Sequence, residues 1–430
     1  MTIKKILTFV MGICTLSAVA QNTAQEAQDQ AHKYTDYYYQ RKSLFAELPV
    51  TSEDIVFFGN SLTNGGRWHE MFNNPNIKNR GIVGDIVQGL YDRADLILKG
   101  HPKKIFLLIG TNDISHHVGA DSIARALDKL ITRIKTESPT TQLYLQSLLP
   151  YNNDFKRYKN LFNEEMTVHV ANVLYEQVAR KHNVPWINLF PWFADREGKL
   201  RKELTNDGLH LKENGYTIWR DEVAKYVDED AKFHPTKLYH PLSDNDIIML
   251  GGTLVGYAEW HELLGMPNVK TRSLGDVCDY IHSSAKTYAQ NKPKKIVLLS
   301  SYNYDKTAKK VNVTANFSVD TIVMSMEKAI TAIKEVSPET GIVLQSIIPV
   351  NSSYEKYAPF NSKEVAKKFK KANKELKKLA KKYNVTWVDL TPVLANENGE
   401  LKAEYTNDGY HLMGKAYVAW ANELKKALAE

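Results

Sequence analysis

The sequence predicts an α/β protein built from two tandem domains of one fold. Short apolar segments alternate with amphipathic helical segments, and this whole pattern occurs twice along the chain. Such alternation indicates βαβ units around a mainly parallel sheet that is covered by helices on both faces. The 430 residues, of which 43% are hydrophobic and 24% charged, are typical of a globular chain of two or three domains.

Four pairs of matching segments define the internal duplication. The offset between the copies grows from 191 and 192 residues in the first two pairs to 199 and 201 in the last two, which places extra residues of copy two around 307–317. A period near 200 residues indicates whole domains rather than a solenoid. The pairs are KKIFLL (103–108) with KKIVLL (294–299), WHE (68–70) with WHE (260–262), QSLLP (146–150) with QSIIP (345–349), and NDGLHL (206–211) with NDGYHL (407–412).

The N-terminus reads as a secretory signal peptide over residues 1–20. Lys4 and Lys5 precede an apolar segment too short to span a bilayer, and an Ala-Val-Ala cleavage pattern ends at Ala20. We therefore expect an exported protein, periplasmic or extracellular, without stable membrane insertion; a buried N-terminal helix is the alternative. The remaining predicted units are a helical lead packing on domain one (21–50), domain one (51–230), a linker (231–245) and domain two (246–430).

The elements of copy one follow from residue periodicity. Short apolar segments predict buried strands, whereas apolar residues spaced by three and four predict helices, as at Ile123, Leu127, Leu130, Ile131 and Ile134. The predicted strands are 54–59, 104–110, 142–148 and 185–190, and the predicted helices are 122–136 and 159–182.

Charge and cysteine content narrow the class of function. The formal net charge of +7 is mild, so nucleic acid is not an expected partner. The one strongly basic segment, 363–382, has an apolar face typical of a solvated amphipathic helix, with binding to an anionic surface or sugar as the alternative. Cys278 is the single cysteine after the signal peptide, and its apolar surroundings favour a structural role.

Polar motifs follow the predicted strands, where ligands bind in open α/β sheets. They are GNSLT (59–63), NRGIVGD (79–85), GTND (110–113) and NDGLH (206–210). Together they offer a hydroxyl nucleophile, a histidine base, an orienting carboxylate and an amide donor, which are the parts of an acyl-transfer site. Trp68 and His69 are candidate pocket walls or core packing, and adjacent His116 and His117 do not form a metal site by themselves.

These four motifs, in this order and spacing, resemble the four blocks of the SGNH (GDSL-like) hydrolases. The resemblance implies a flavodoxin-like three-layer α/β/α sandwich with a five-stranded sheet in each domain. It also implies that Ser61 is the nucleophile, His210 the general base and then acid, and Asp207 the residue that orients His210. The oxyanion hole would comprise the Ser61 and Gly84 N–H groups and the Asn112 side chain, with no metal or cofactor.

Copy two departs from this pattern at the nucleophile. The repeat aligns Thr253 with Ser61, Gly275 with Gly84 and Asn303 with Asn112, and it aligns Asp408 and His411 with the remaining pair. A threonine methyl group restricts χ1 and crowds attack, so we expect domain two to be inactive. Glycan binding, a structural role and residual threonine-based activity remain open for it.

The resulting prediction is a secreted serine esterase that removes acetyl or other short acyl groups from carbohydrates. O-acetylated sialic acids are one candidate substrate, because the resemblance extends to acetylhydrolase-type carbohydrate esterases of Bacteroidetes. The alternatives are a lysophospholipase or platelet-activating-factor-acetylhydrolase-like lipid esterase, and a non-catalytic glycan-binding protein. A small-molecule or glycan ester is the expected partner, and the sequence leaves the oligomeric state open.

Overall fold

The computed structural model of the protein describes residues 33–227, 242–301, 318–358 and 360–429. The predicted signal peptide, the first part of the predicted linker, the extra segment around 307–317 and Asn303 lie outside the described residues.

Domain one contains a five-stranded parallel sheet in the order β2-β1-β3-β4-β5. This is the flavodoxin-like order expected from the family resemblance. The strands are β1 (Ile55–Gly59), β2 (Ile77–Gly81), β3 (Lys104–Leu108), β4 (Gln142–Gln146) and β5 (Trp186–Ile187). The helices are α1 (Asp36–Ala46), α2 (Ser61–Asn64), α3 (Trp68–Met71), α4 (Val87–Arg93), α5 (Asp95–Leu98), α6 (Thr111–Ser115), α7 (Ala120–Glu137), α8 (Glu165–His182), α9 (Phe190–Phe193) and α10 (Glu213–Val227).

Domain two repeats this architecture, with a five-stranded parallel sheet in the order β10-β9-β8-β6-β7. Its strands are β6 (Ile247–Gly251), β7 (Val269–Ser273), β8 (Lys295–Leu299), β9 (Gly341–Gln345) and β10 (Thr386–Val388). Its helices are α11 (Thr253–Gly256), α12 (Trp260–Leu264), α13 (Val277–Ala289), α14 (Val319–Val336), α15 (Lys363–Tyr383), α16 (Thr391–Leu394) and α17 (Gly414–Ala429).

Apolar periodicity explains how the layers form. All residues of β1 and β3 are buried, as expected for strands covered by helices on both faces. Helix α7 buries the predicted stripe from Ile123 to Ile134, and the lone Cys278 is buried in the core of domain two. The fold class predicted from the sequence is therefore confirmed.

Strand β2 was not predicted, because its sequence IKNRG is too polar to suggest a buried strand. Its polar side chains find partners outside the strand. Asn79 Nδ2 donates to the carbonyls of Thr63, Asn64 and Gly66 at 2.8–3.1 Å, and Arg80 pairs with Glu262 of domain two. Burial of such groups is favourable only when these partners are present.

The two domains contact each other through equivalent surfaces. Arg80 pairs with Glu262 at 2.8 Å, and the equivalent Arg272 pairs with Glu70 at 3.0 Å. Between these pairs, His69 and His261 stack with ring centroids 3.5 Å apart. This reciprocity is that of an isologous, two-fold interface. Burial lowers the pKa of His69 to about 3 and that of His261 to about 4, so both rings are neutral near neutral pH.

The lead helix α1 corrects one prediction, since it lies between the domains rather than on domain one alone. Tyr38 donates to the Gly89 carbonyl of domain one at 2.8 Å. On the other side, Arg41 contacts Glu259 at 2.6 Å, and Leu44 and Leu48 belong to the core of domain two. The lead therefore joins the two domains as well as covering domain one.

Within the described residues, no helix is long and apolar enough to cross a membrane.

Candidate active site

The site lies at the carboxyl ends of the central strands of domain one. Ser61 begins α2 directly after β1, and Asn112 lies in α6 after β3, on the two sides of the point where the strand order reverses. Ligands bind in the crevice at this position in doubly wound sheets. Glycine at position 59 allows β1 to approach its neighbours closely just before Ser61, because a Cβ there would lie 2.3 Å from both the Leu108 carbonyl oxygen and Thr63 Oγ1.

Three predicted residues form a continuous hydrogen-bonded chain. His210 Nε2 lies 3.0 Å from Ser61 Oγ, and His210 Nδ1 lies 2.9 Å from Asp207 Oδ2. With Nδ1 protonated and donating to the carboxylate, Nε2 is free to accept from the serine hydroxyl. This arrangement has the geometry of a nucleophile, a base and an orienting carboxylate.

A tight turn positions the carboxylate and the imidazole. Asp207 Oδ1 accepts hydrogen bonds from the backbone N–H groups of Leu209 at 2.9 Å and His210 at 2.8 Å. Partial burial alone would raise the pKa of Asp207. The hydrogen bonds from His210, the two amides and Tyr158 outweigh burial and hold that pKa well below its usual range. Asp207 is therefore anionic at neutral pH.

Tyr158 is a site residue that the sequence analysis missed. Its hydroxyl donates to Asp207 Oδ2 at 2.8 Å and lies 3.0 Å from His210 Nδ1. Burial, reinforced by the bond to Asp207, raises the pKa of Tyr158 to about 12, so the residue remains a donor. Tyr158 lies in an irregular segment between β4 and α8, far from every motif in the sequence, so no local pattern could have indicated it.

The predicted oxyanion donors border the same crevice. Ser61 is the first residue of α2, a position whose N–H has no acceptor within the helix. Gly84 is exposed, has φ +79° and faces open space where a Cβ would be. Asn112 is half-buried, and one hydrogen of its Nδ2 group binds the Asp85 carbonyl at 2.8 Å. That bond fixes the amide and leaves its second hydrogen available for an oxyanion.

Other residues considered at the sequence level have different roles. Trp68 is fully buried and stacks on Phe57 at 4.0 Å, so the pocket-wall interpretation is wrong for it and core packing is correct. His69 lies at the domain interface instead of the site. His116 and His117 are exposed, and His117 lies 3.0 Å from Glu164. No cluster of metal-ligating side chains occurs among the described residues.

The equivalent region of domain two keeps the acid–histidine pair but not the contact with a nucleophile. His411 Nδ1 lies 2.7 Å from Asp408 Oδ2, and both residues are buried. Thr253 is exposed, and within the described part of the chain no hydrogen bond joins it to His411. Gly275 also differs from Gly84, because it does not adopt a positive φ.

Aromatic side chains and the lead helix enclose His411. Tyr257, which occupies the position of Gly65, stacks on the imidazole with centroids 5.4 Å apart. Tyr357 and Tyr410 pack edge-on against the same ring, each at 4.9 Å. Gln40 of α1 donates to Asp408 Oδ2 at 3.0 Å, which is the role of Tyr158 in domain one. Access to this imidazole is correspondingly restricted.

Comparison with protein families gives a match within domain one. Residues 57–218 match the model of the GDSL-like Lipase/Acylhydrolase family. This range contains part of β1, the whole of β2 to β5, and the residues Ser61, Asp207 and His210. The match lies in domain one and agrees with the family resemblance that the motifs predicted.

Individual relatives match parts of the chain. An N-acylneuraminate cytidylyltransferase of Escherichia coli is 29% identical over 180 residues, which are 40% of this chain and 40% of the relative. An isoamyl acetate-hydrolyzing esterase of Saccharomyces cerevisiae is 28% identical over 81 residues, which are 18% of this chain and 34% of the relative. The chain thus covers less than half the length of these curated relatives.

A solved structure from Streptococcus pneumoniae, provisionally described as a platelet activating factor, is 28% identical. The match covers 48% of this chain and 99% of that chain, with a TM-score of 0.42.

Proposed function

We propose that the protein is a serine ester hydrolase that removes acetyl or other short acyl groups from carbohydrate substrates. The observation that carries this proposal is the chain from Ser61 Oγ through His210 to Asp207, with bonds of 3.0 and 2.9 Å. Membership of domain one in an acylhydrolase family supports the same reaction class.

The first half of the proposed cycle forms an acyl-serine. His210 Nε2 takes the proton of Ser61 Oγ as the oxygen attacks the ester carbonyl carbon. The Ser61 and Gly84 N–H groups and Asn112 Nδ2 stabilise the resulting oxyanion. His210 then gives its proton to the leaving alcohol as the ester C–O bond breaks, and Asp207 stabilises the imidazolium meanwhile.

The second half returns the enzyme to its starting state. A water molecule attacks the acyl-serine carbonyl carbon while His210 Nε2 takes one of its protons. The second tetrahedral intermediate collapses, and Ser61 Oγ recovers its proton from His210 as the carboxylic acid leaves. Every proton transfer thus uses the same imidazole nitrogen, which the bond to Asp207 keeps directed at Ser61.

O-acetylated sialic acids are the proposed substrates. Two relatives support this choice, since one is named for N-acylneuraminate, which is a sialic acid, and the other for an acetate ester. The half-exposed His210, with 37% of its side chain accessible, leaves the site open enough for a group on a bulky glycan. The predicted signal peptide further suggests that the protein acts after export.

We further propose that domain two does not catalyse this reaction. Its hydroxyl, Thr253, is exposed and unconnected to His411 by any described hydrogen bond, and three tyrosines enclose that imidazole. The cavity that the described residues leave beside Thr253 has a volume of about 10 Å³. That space holds about one water molecule and no acyl group.

Acetate release from an aryl acetate and from an O-acetylated sialoglycan tests both proposals. Ser61→Ala should lower turnover of both substrates by about 10⁵–10⁶-fold. The matched Thr253→Ala variant should retain full turnover. Activity that survives in Ser61→Ala and disappears in Thr253→Ala would reverse the assignment of the domains. Faster hydrolysis of long-acyl lipid esters than of either acetate would replace the carbohydrate substrate with a lipid.

A further inference from the structure

Domain two contains a groove that takes no part in the proposed esterase reaction. It lies between α15 and the β10 edge of the sheet, and its volume is about 590 Å³. Strand β10 is the edge opposite β7, the strand through which Arg272 reaches domain one. The groove is therefore on the far side of domain two from the domain interface.

Five lysines of α15 line one wall of the groove. Their spacing of four, three, four and three residues places them on one helix face, while Val365, Phe369 and Leu376 form the buried face. The face extends over roughly 21 Å at 1.5 Å per residue, which is longer than one sugar ring. The lysines are Lys363, Lys367, Lys370, Lys374 and Lys377.

Three other lysines of the same helix are paired with carboxylates. Lys368 pairs with Glu364 at 3.0 Å, Lys378 with Glu375 at 2.9 Å, and Lys382 with Glu327 at 2.7 Å. The groove lysines are exposed, and over the described ranges none of them has a carboxylate partner. A row of unpaired ammonium groups along a concave wall attracts anions.

Among the described residues of the opposite wall, which is partly apolar, two are acidic, and one oxygen of each accepts a hydrogen bond. Asp389 Oδ1 accepts from the Thr391 N–H at 3.0 Å, and Glu400 accepts from Ser352 at 2.5 Å. Trp387 also lines the groove, and within the described structure its buried Nε1 has no hydrogen-bond partner. The half-buried indole provides an apolar surface on which a sugar ring can pack.

Domain one shows that the fold itself does not require this groove. In domain one, the Oδ1 atom of Asn172 accepts a hydrogen bond from the Leu148 N–H at 2.8 Å. In domain two, Asn373 accepts the equivalent bond from the Ile347 N–H, also at 2.8 Å. This correspondence fixes the alignment of α8 with α15. In this alignment, Lys370 and Thr391 replace His169 and Phe190.

The replaced pair fills the equivalent space in domain one. His169 and Phe190 pack there with ring centroids 4.8 Å apart. Two further groove lysines, Lys367 and Lys374, replace Met166 and Val173. The opening and its positive charge thus belong to domain two alone.

We propose that this groove binds an acidic oligosaccharide. The lysine row pairs with carboxylates on successive sugars, and the wall at Trp387 packs against a sugar ring. The length of the row favours an oligomer over a single sugar. The inference rests on the groove and is independent of catalysis at Ser61, so binding and esterase activity can fail separately.

Titration calorimetry with the mature full-length protein tests this proposal, using unacetylated oligomers of N-acetylneuraminic acid and a neutral maltooligosaccharide. The unacetylated probe carries no ester for Ser61 to hydrolyse. We expect binding of the acidic oligomer only. The double variant Lys370→Gln/Lys374→Gln should weaken it at least tenfold, and Trp387→Leu, which removes the flat ring from the groove wall, should weaken it several-fold.

The control is Lys371→Gln/Lys381→Gln, which removes the same charge from exposed positions of α15 outside the groove. It should change affinity by less than twofold, and all variants should keep wild-type hydrolysis of an aryl acetate. Equal weakening by the control would reduce the effect to general charge attraction and overturn the proposal. Absence of binding would overturn it too, as would equal affinity for single-stranded DNA together with no effect of Trp387→Leu.

Discussion

The two acid–histidine pairs of this chain are nearly superimposable in their local bonding, yet their surroundings differ. In each copy the carboxylate accepts two backbone N–H groups at 2.9 and 2.8 Å and contacts the imidazole at 2.9 or 2.7 Å. His210 has 37% of its side chain exposed and contacts Ser61, whereas His411 has 9% exposed and is enclosed by tyrosines. The turn alone therefore brings the aspartate and the histidine together, whatever surrounds them.

The groups around an imidazole therefore decide whether it can act as a base. Replacement of Gly65 by Tyr257 places a ring against His411, and Gln40 occupies the carboxylate oxygen that Tyr158 binds in domain one. A base needs a proton donor within reach and room for a substrate. Domain two keeps the turn, but among the described residues Thr253 forms no hydrogen bond with His411 and three tyrosines pack around that ring.

The greatest difference is expected between variants of the two equivalent carboxylates, Asp207 and Asp408. Asp207→Asn should lower turnover by about 10⁴-fold, because an amide cannot hold the required tautomer of His210 or stabilise its cation. The matched Asp408→Asn should leave turnover unchanged. Steady-state hydrolysis of an aryl acetate measures both, with circular dichroism confirming the fold. An equal loss in the two variants would mean that domain two takes part in the reaction.

The next effect concerns the equivalent ion pairs at the interface. Glu262→Gln leaves Arg80 buried without its carboxylate and should lower the free energy of unfolding by about 3–5 kcal/mol. The matched Glu70→Gln should cost a comparable amount if the interface is two-fold. Denaturant titration measures both; a loss confined to one variant would show that the pairs are not equivalent.

The same pair predicts a pH dependence. Burial would raise the pKa of Glu262, but Arg80 and Lys78 outweigh it and lower the pKa to about 2. A lowered pKa stabilises the folded state above the ordinary value of 4.5, and this contribution is lost as the pH falls toward 2. The difference between wild type and Glu262→Gln should therefore be constant from pH 7 to 5 and narrow below 4.5. A difference that widens there would contradict the assigned direction.

A smaller effect tests the oxyanion donors. Asn112→Ala should lower kcat by about 10²–10³-fold with little change in KM, since the donor acts on charge that develops in the transition state. Its counterpart Asn303→Ala in domain two should have no effect. A change in KM alone for Asn112→Ala would make that residue a substrate contact instead.

The smallest effect concerns Tyr158, a positioning residue that acts through Asp207 and His210. Tyr158→Phe removes one hydrogen bond to a charged group and should lower kcat roughly tenfold while KM and the thermal midpoint stay near wild type. Tyr357→Phe is the matched change beside His411 and should leave kcat unaltered. A wild-type kcat in Tyr158→Phe would show that the Asp207 turn positions the imidazole unaided.

The sequence predicted those candidate site residues whose proposed role follows from a local pattern. Ser61 and Asn112 follow apolar strands, and the Asp207–His210 spacing places both groups on one turn, so their meeting at one sheet edge could be anticipated. The sequence predicted neither strand β2 nor the position of Tyr158 beside Asp207 and His210. The polar side chains of β2 are satisfied by partners that are distant in sequence, and Tyr158 reaches the site across 49 residues of chain.

Periodicity and short motifs were enough to predict the duplicated α/β fold, a candidate site in domain one and a threonine at the position of the serine in domain two. The tertiary structure alone decided the rest. It places α1 between the domains, pairs Arg80 with Glu262, and opens the groove where Lys370 and Thr391 replace an aromatic pair. These features depend on side chains that packing brings together from distant positions, and no local pattern encodes such contacts.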